Sequence, residues 1–231
     1  MKVYLMRHGE TDYNKKGLIQ GTLDIPLNEF GLELAEKTKE GFEKEGLTFD
    51  YCYCSPLIRA RQTAEIILRG TDTPLSYDER IREMNFGEGE GQKLADLSWN
   101  PALKNIDALF HAPEQYRATE QGESYEALLG RVEDFLKHEI LPLEEKMKRV
   151  LICCHGGIIR AFLAYIKGLE IKDFWNSHQP NCSVNILEVK NQKIRILEEH
   201  KIYYTLPEEK KGSILLSLIH ISEPTRRTPI S

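Results

Sequence analysis

The chain has 231 residues, 41% of them hydrophobic and 29% charged, and a formal net charge of −5. That is enough apolar material for one sizeable core, and one large domain is expected rather than two small ones. The acidic balance argues against nucleic-acid or anionic-membrane partners. The apolar stretches are too short to cross a bilayer, and "MKVYLMRHGE" lacks the apolar core of a signal peptide, so a cytoplasmic location is expected.

In chain order, "KVYLMR" (2–7) reads as an apolar strand running into Arg7, His8 and Gly9. Charged and titratable groups are costly at such a strand end unless they are paired or have a task. A polar loop follows through "GLIQGTLDIPLN". Asn28 can then cap a helix over "EFGLELAEKTKEGFEKEG", with Leu32, Ala35, Thr38 and Phe42 at helical spacing. "FDYCYCSP" is a second strand, and Ser55 as cap with Pro56 in the first turn predicts a helix over "LIRARQTAEIILRG". Residues 84–120, with three glycines and two prolines, form an irregular or partly helical insertion longer than a connection needs.

A helix fits "ESYEALLGRVEDFLKHEILPLEEK", bent at Pro142. "RVLICCHGG" is the most apolar strand and leads into the helix "IIRAFLAYIKG". "CSVNILEVKNQKIRILEEH" reads as a closing hairpin around "KNQK". Strands alternating with helices predict a mainly parallel sheet covered on both faces, with ligands at the carboxyl ends of the strands. Three candidate strands end there in polar groups: "MRHG", "CSPLIRA" and "CCHGG".

Five cysteines, at 52, 54, 153, 154 and 182, read as buried free thiols of a reducing compartment. Strand alternation points Cys52 and Cys54 the same way but Cys153 and Cys154 opposite ways, and no zinc-type spacing occurs, so no metal is expected. His111, His138, His178 and His200 stand alone and are expected on the surface or in packing. "NCS" (181–183) has the glycosylation pattern, which is irrelevant without secretion. "LSLIHISEPTR" (216–226) looks like an in-frame translation of a sequencing-library adapter, so the tail 205–231 is largely set aside as an artefact that carries no chemistry.

"LMRHGETDYN", "QGTLDIPLNEFG", "SPLIRARQTAE", "REMNFGEGEG" and "CCHGGIIR" occur in the order typical of the histidine phosphatase superfamily, the phosphoglycerate-mutase-like group. The resemblance spans about residues 1–204, and five ordered motifs make it specific where Arg-His-Gly alone would be weak. It implies a three-layer α/β/α sandwich with a mainly parallel central sheet, a small cap insertion at about 84–120 and phosphoryl transfer through a phosphohistidine.

The chemistry agrees with that resemblance. A phosphomonoester dianion needs fixed donors, and the Arg7 and Arg59 guanidiniums match phosphate oxygens, with His155 a further donor when protonated. The motifs imply neutral contacts from Asn14, Gln20, Gly21 and Thr22, and place Gly156 beside His155 at the phosphate. His8 is the nucleophile the family would use; neighbouring cations favour its neutral form, and a backbone carbonyl bonded to its other nitrogen would fix the tautomer. Glu83 matches the family's general acid, protonating the leaving oxygen and then deprotonating water; Glu79 and Glu88 are the rivals.

No metal or other cofactor is expected, since arginines and histidines neutralise the charge. The resulting expectation is a phosphomonoester hydrolase acting on a small phosphorylated metabolite, close in length to small bacterial phosphatases such as α-ribazole phosphatase. A cofactor-dependent phosphoglycerate mutase and a catalytically silent phospholigand- or protein-binding relative are the alternatives. Leaving-group recognition is expected from "LSWNPAL" and "IDALF" of the insertion, with Glu114, Arg117 and Glu120.

Overall fold

The computed structural model describes residues 1–205; the adapter-like stretch lies outside the described residues. Strands β1 (Lys2–Arg7), β2 (Tyr51–Cys54), β3 (Leu75–Tyr77), β4 (Arg149–Cys154), β5 (Val184–Lys190) and β6 (Lys193–Lys201) form one sheet in the order β3-β2-β4-β1-β5-β6. The pairings β2–β3, β2–β4 and β1–β4 are parallel, while β5 lies antiparallel to β1 and β6 to β5. The β5–β6 turn is made by Asn191 and Gln192, both at positive φ, as a tight hairpin requires.

Period-two alternation divides the core between the two faces. Val3, Leu5, Ile152 and Cys154 pack on one side with helices α5 (Tyr125–Phe135) and α6 (Gly156–Lys167). Tyr4, Met6, Cys52, Cys54 and Cys153 face the other side, with α2 (Glu29–Lys44) and α3 (Ile58–Leu68). The cysteine orientations expected from strand geometry are thus observed, and all five thiols are buried and free. The result is an α/β/α sandwich whose β1, β2 and β4 end at one edge.

Local differences have local causes. Asn28 caps α2 as expected, accepting from the Gly31 N–H at 2.8 Å, but Leu32 is exposed and Leu34 takes its place in the core. Ser55 does not cap α3, which starts two residues later than Pro56. Asp24 Oδ1 accepts the Ile58 N–H at 2.6 Å instead, from the loop that closes over this end of the sheet. That loop begins with the short helix α1 (Asp12–Lys16), itself capped by Thr11. The helix after residue 123 ends at Phe135, and a π-helical turn over Leu136–Ile140 leads into Pro142. The insertion is a series of short 3₁₀ turns and one helix, α4 (Lys104–His111), anchored in the core through Leu97, Leu103, Ile106 and Leu109. No helix among the described residues is long and apolar enough to cross a membrane.

Candidate active site

Arg7, His8 and His155 sit where β1 and β4 end, and Arg59 reaches the same edge from the first turn of α3. His8, Arg59, Glu83 and His155 are all buried. The Arg7 and His8 carbonyls both receive the Cys182 N–H, and the Asn181 amide donates to the His8 and Gly9 carbonyls at 3.0 and 3.1 Å. Gly9 fits only without a side chain, because a Cβ would lie 2.6 Å from the Gly31 carbonyl oxygen at the start of α2. The strand end is thereby fixed from two sides.

His8 Nδ1 lies 2.6 Å from the Gly9 carbonyl oxygen, which only accepts, so Nδ1 carries the hydrogen and Nε2 keeps its lone pair in the neutral ring. Burial, then the charges of Arg59 and Arg7, hold the imidazole well below its ordinary titration range, against a smaller opposing effect of the Gly9 carbonyl. His8 is a neutral nitrogen base flanked by two cations. Burial also pulls the Arg59 guanidinium down to about 10, still far above neutrality.

Arg59 is tied on three of its N–H groups, to His155 Nδ1 (3.0 Å), the Leu23 carbonyl (2.7 Å) and the Gly21 carbonyl (2.7 Å). Guanidinium has five, so one N–H on each terminal nitrogen stays available for an anion. Because Nδ1 of His155 accepts from Arg59, its Nε2 must donate, and Ser55 Oγ accepts at 2.6 Å. Burial and the Arg59 charge keep this ring neutral too. His155 is therefore not the cationic donor expected from its motif; both ring nitrogens are engaged with protein, although its ring centroid is 5.1 Å from that of His8.

Glu83 faces the first turn of α6. Its carboxylate accepts from the Gly157 and Ile158 N–H groups at 3.0 Å each, and from its own neighbour Met84 at 2.9 Å. The rivals lie elsewhere: Glu79 is exposed beside Arg82, and Glu88 accepts from Thr119.

These groups open onto a cavity of about 310 Å³. Arg7, His8, Asn14, Gln20, Gly21, Arg59, Glu83 and Gly156, all expected site residues, line it. Thr22 does not. Its N–H and hydroxyl both turn to the Glu90 carboxylate, at 2.8 and 3.1 Å, because that carboxylate fills the space beside Gly21. From the insertion Phe86, Lys93, Leu94, Asp96 and Phe110 reach the wall, whereas Trp99, Glu114, Arg117 and Glu120 do not.

Sequence reasoning missed the opposite wall, made by Arg160, Trp175, His178, Pro180 and Asn181. Burial, with Arg7 and Arg160 nearby, pushes His178 down to about 4, and its Nε2 has no hydrogen-bond partner among the described residues. His200 is held in packing, as expected. It meets the Gln179 amide at 3.0 Å, and the Gln179 carbonyl in turn accepts from Arg7. Arg160 stands in the quoted "CCHGGIIR" motif, one helical turn after Gly156, and that spacing was the available signal.

With this geometry in place, similarity to known proteins becomes informative. The chain is 29% identical to the adenosylcobalamin/α-ribazole phosphatase of Escherichia coli strain K12 over 205 residues, 87% of this chain and 98% of the other. It is 30% identical over 221 residues to a 2,3-bisphosphoglycerate-dependent phosphoglycerate mutase of Treponema denticola, covering 84% and 90%. The solved structure of Bacillus stearothermophilus YhfR superposes with a TM-score of 0.77 at 29% identity, covering 87% of this chain and 97% of that one. The family model of the histidine phosphatase superfamily (branch 1) matches residues 3–200, and the chain belongs to that superfamily.

Proposed function

We propose that the protein hydrolyses a small phosphorylated metabolite through a phosphohistidine on His8, without a metal. The observation that carries this reading is the bond from His8 Nδ1 to the Gly9 carbonyl, which leaves Nε2 as a neutral nucleophile between the Arg7 and Arg59 guanidiniums. The phosphoryl oxygens take the free N–H groups of Arg7 and Arg59, with Asn14, Gln20 and the Gly156 backbone at the edge of the same cavity. His8 Nε2 forms the N–P bond as the ester P–O bond breaks. Glu83 gives its proton to the leaving oxygen, then takes one from the water that attacks the phosphohistidine, returning His8 to its neutral state.

His155 acts through Arg59, holding the plane of that guanidinium from behind, and Ser55 holds His155. The guanidiniums supply the charge stabilisation that divalent ions supply in other phosphoryl-transfer sites. Similarity to the α-ribazole phosphatase supports hydrolysis; similarity to the mutase supports the shared phosphohistidine chemistry without requiring transfer back to an acceptor.

The test is release of inorganic phosphate from a panel of phosphomonoesters with EDTA present. Turnover that persists in EDTA and disappears in His8→Ala supports the reading. A wild-type protein inert on the whole panel, or abolished by EDTA, overturns it.

A further inference from the structure

Arg7 is held from outside its own strand. Its Nη1 donates to the backbone carbonyl of Gln179, and its Nε is buried with no hydrogen-bond partner among the described residues. The place of that carbonyl therefore bears directly on where the guanidinium points. Gln179 is fully buried in the segment that leads into β5, and none of Gln179, Asn185 and His200 lines the cavity. Any influence these three have on a bound anion passes through the protein.

Their orientation follows from one backbone group. The His200 N–H can only donate, and it meets Asn185 Oδ1 at 3.2 Å. Asn185 then presents Nδ2, which donates to Gln179 Oε1 at 2.9 Å. Gln179 is left with Nε2, which donates to Ser177 Oγ at 2.7 Å and meets His200 Nε2 at 3.0 Å. An amide nitrogen has only hydrogens to give, so His200 Nε2 accepts and the ring carries its hydrogen on Nδ1. The bonds form a closed loop that leaves the His200 backbone and returns to the His200 ring. His200 has a φ of 58°, rare for a residue with a side chain, and in that conformation its N–H and its ring engage the two amides together.

Fully buried amides are costly unless satisfied, and a satisfied network rigidifies what it joins. What it joins here is the chain around residue 179. The Gln179 carbonyl takes Arg7, and two residues further on the Asn181 amide donates to the His8 and Gly9 carbonyls. β6 lies two strands from β1 in the sheet, so a side chain near the end of the edge strand is connected to the guanidinium at the centre.

We propose that His200 is a positioning residue for phosphate binding: by closing the loop with Asn185 and Gln179 it fixes the carbonyl that holds Arg7 at the anion site. Opening the loop lets that carbonyl shift and loosens the Arg7 contact in the ground and transition states alike. The loss then falls on binding, while the chemistry at His8 is left in place.

The proposal rests on the hydrolase reading for the identity of the anion, and two measurements on the full chain separate their failures. The variants are His200→Asn and His200→Gln. Asparagine tolerates positive φ but is too short to reach Gln179, whereas the glutamine oxygen extends to where the histidine Nε2 stands and can accept. In titrations with inorganic phosphate, His200→Asn should lose at least about tenfold in affinity and His200→Gln should stay within about threefold of wild type, as expected when a contact group is displaced. With p-nitrophenyl phosphate the loss in His200→Asn should appear in KM, with kcat little changed. His200→Leu carries the comparison if the Asn variant does not fold.

Equal losses in the two variants, no loss in either, or a lowered urea midpoint with unchanged phosphate affinity overturns the positioning role. If the expected pattern of phosphate affinity appears in a protein that hydrolyses no monoester, the hydrolase reading alone falls. If the wild type hydrolyses and His200→Asn matches it in KM and phosphate affinity, the positioning role alone falls. A wild type that neither binds phosphate nor hydrolyses overturns both.

Discussion

Glu83 and Gly157 touch through the space of a missing side chain. The Gly157 N–H donates to the Glu83 carboxylate at 3.0 Å, and a Cβ on residue 157 would lie 2.6 Å from Glu83 Oε1. The position of this carboxylate is thus set by a backbone amide at the start of α6 and by the absence of one carbon atom.

Gly157→Ala should therefore displace the Glu83 carboxylate while leaving His8 and the arginines in place. Misplacing a catalytic group by about 1 Å costs roughly a hundredfold, so kcat should fall by about that factor for alkyl phosphates. Aryl phosphates, whose leaving group needs little protonation, should lose much less. Equal losses for both ester types would remove Glu83 from the acid role.

The neutral Nε2 of His8 should become phosphorylated during turnover. Rapid acid-free quenching should trap an adduct within residues 1–15 that is stable to base and labile to acid. His8→Ala should abolish both adduct and turnover. Near-normal rates in that variant would exclude the mechanism.

Hydrolysis should exceed mutase activity. A mutase must shield its phosphoenzyme and hold a bisphosphate while it reorients, and the acidic cap contributes only Lys93 to the cavity wall as a cation. Phosphate release from a good monoester should exceed interconversion of 3- and 2-phosphoglycerate at least about tenfold, a barrier difference of ~1.4 kcal/mol. Both rates are measured on one preparation primed with 2,3-bisphosphoglycerate. Efficient interconversion with little phosphate release would reverse the assignment while keeping the roles of His8 and Glu83.

Stability should decline on mild acidification. Burial holds His8, His155 and His178 below the ordinary histidine value of 6.5. Above about pH 6.5 these rings are neutral in both the folded and unfolded chain and stability does not depend on them. As pH falls below it, the unfolded chain binds protons that the native rings refuse, so unfolding is favoured by up to about 1.4 kcal/mol per pH unit for each histidine. Urea midpoints should be level from pH 8 to 7 and drop between pH 6.5 and 5, and His178→Phe should reduce that slope. A level profile down to pH 5 would show that these rings protonate within the native fold.

The parts of the molecule legible in the sequence were those set by local pattern. β1 ends at Arg7 because its apolar run stops there, α2 begins after Asn28 because the side chain can reach the Gly31 N–H, and the cysteines face as strand alternation dictates. β3 escaped notice because "LSY" is too short to show a period. Ser55 looked like a helix cap by position, but its hydroxyl is taken by His155, 100 residues further along the chain. The part of the wall formed by Trp175 and His178 was illegible for a related reason: both are ordinary residue types in sequence, and only the fold brings them to the cavity beside Arg160.

The five cysteines give the protein a built-in gauge of its own breathing. Each thiol is buried; burial raises Cys52, Cys54, Cys154 and Cys182 above the usual thiol range, and a hydrogen bond with Cys54, then burial, raises Cys153, so the native sheet offers a modifying reagent almost no thiolate. Cys52 and Cys54 lie on β2, Cys153 and Cys154 on β4, and Cys182 beside the Arg7–His8 strand end. The speed at which a thiol-specific dye enters therefore clocks the opening of the central strands, one position at a time.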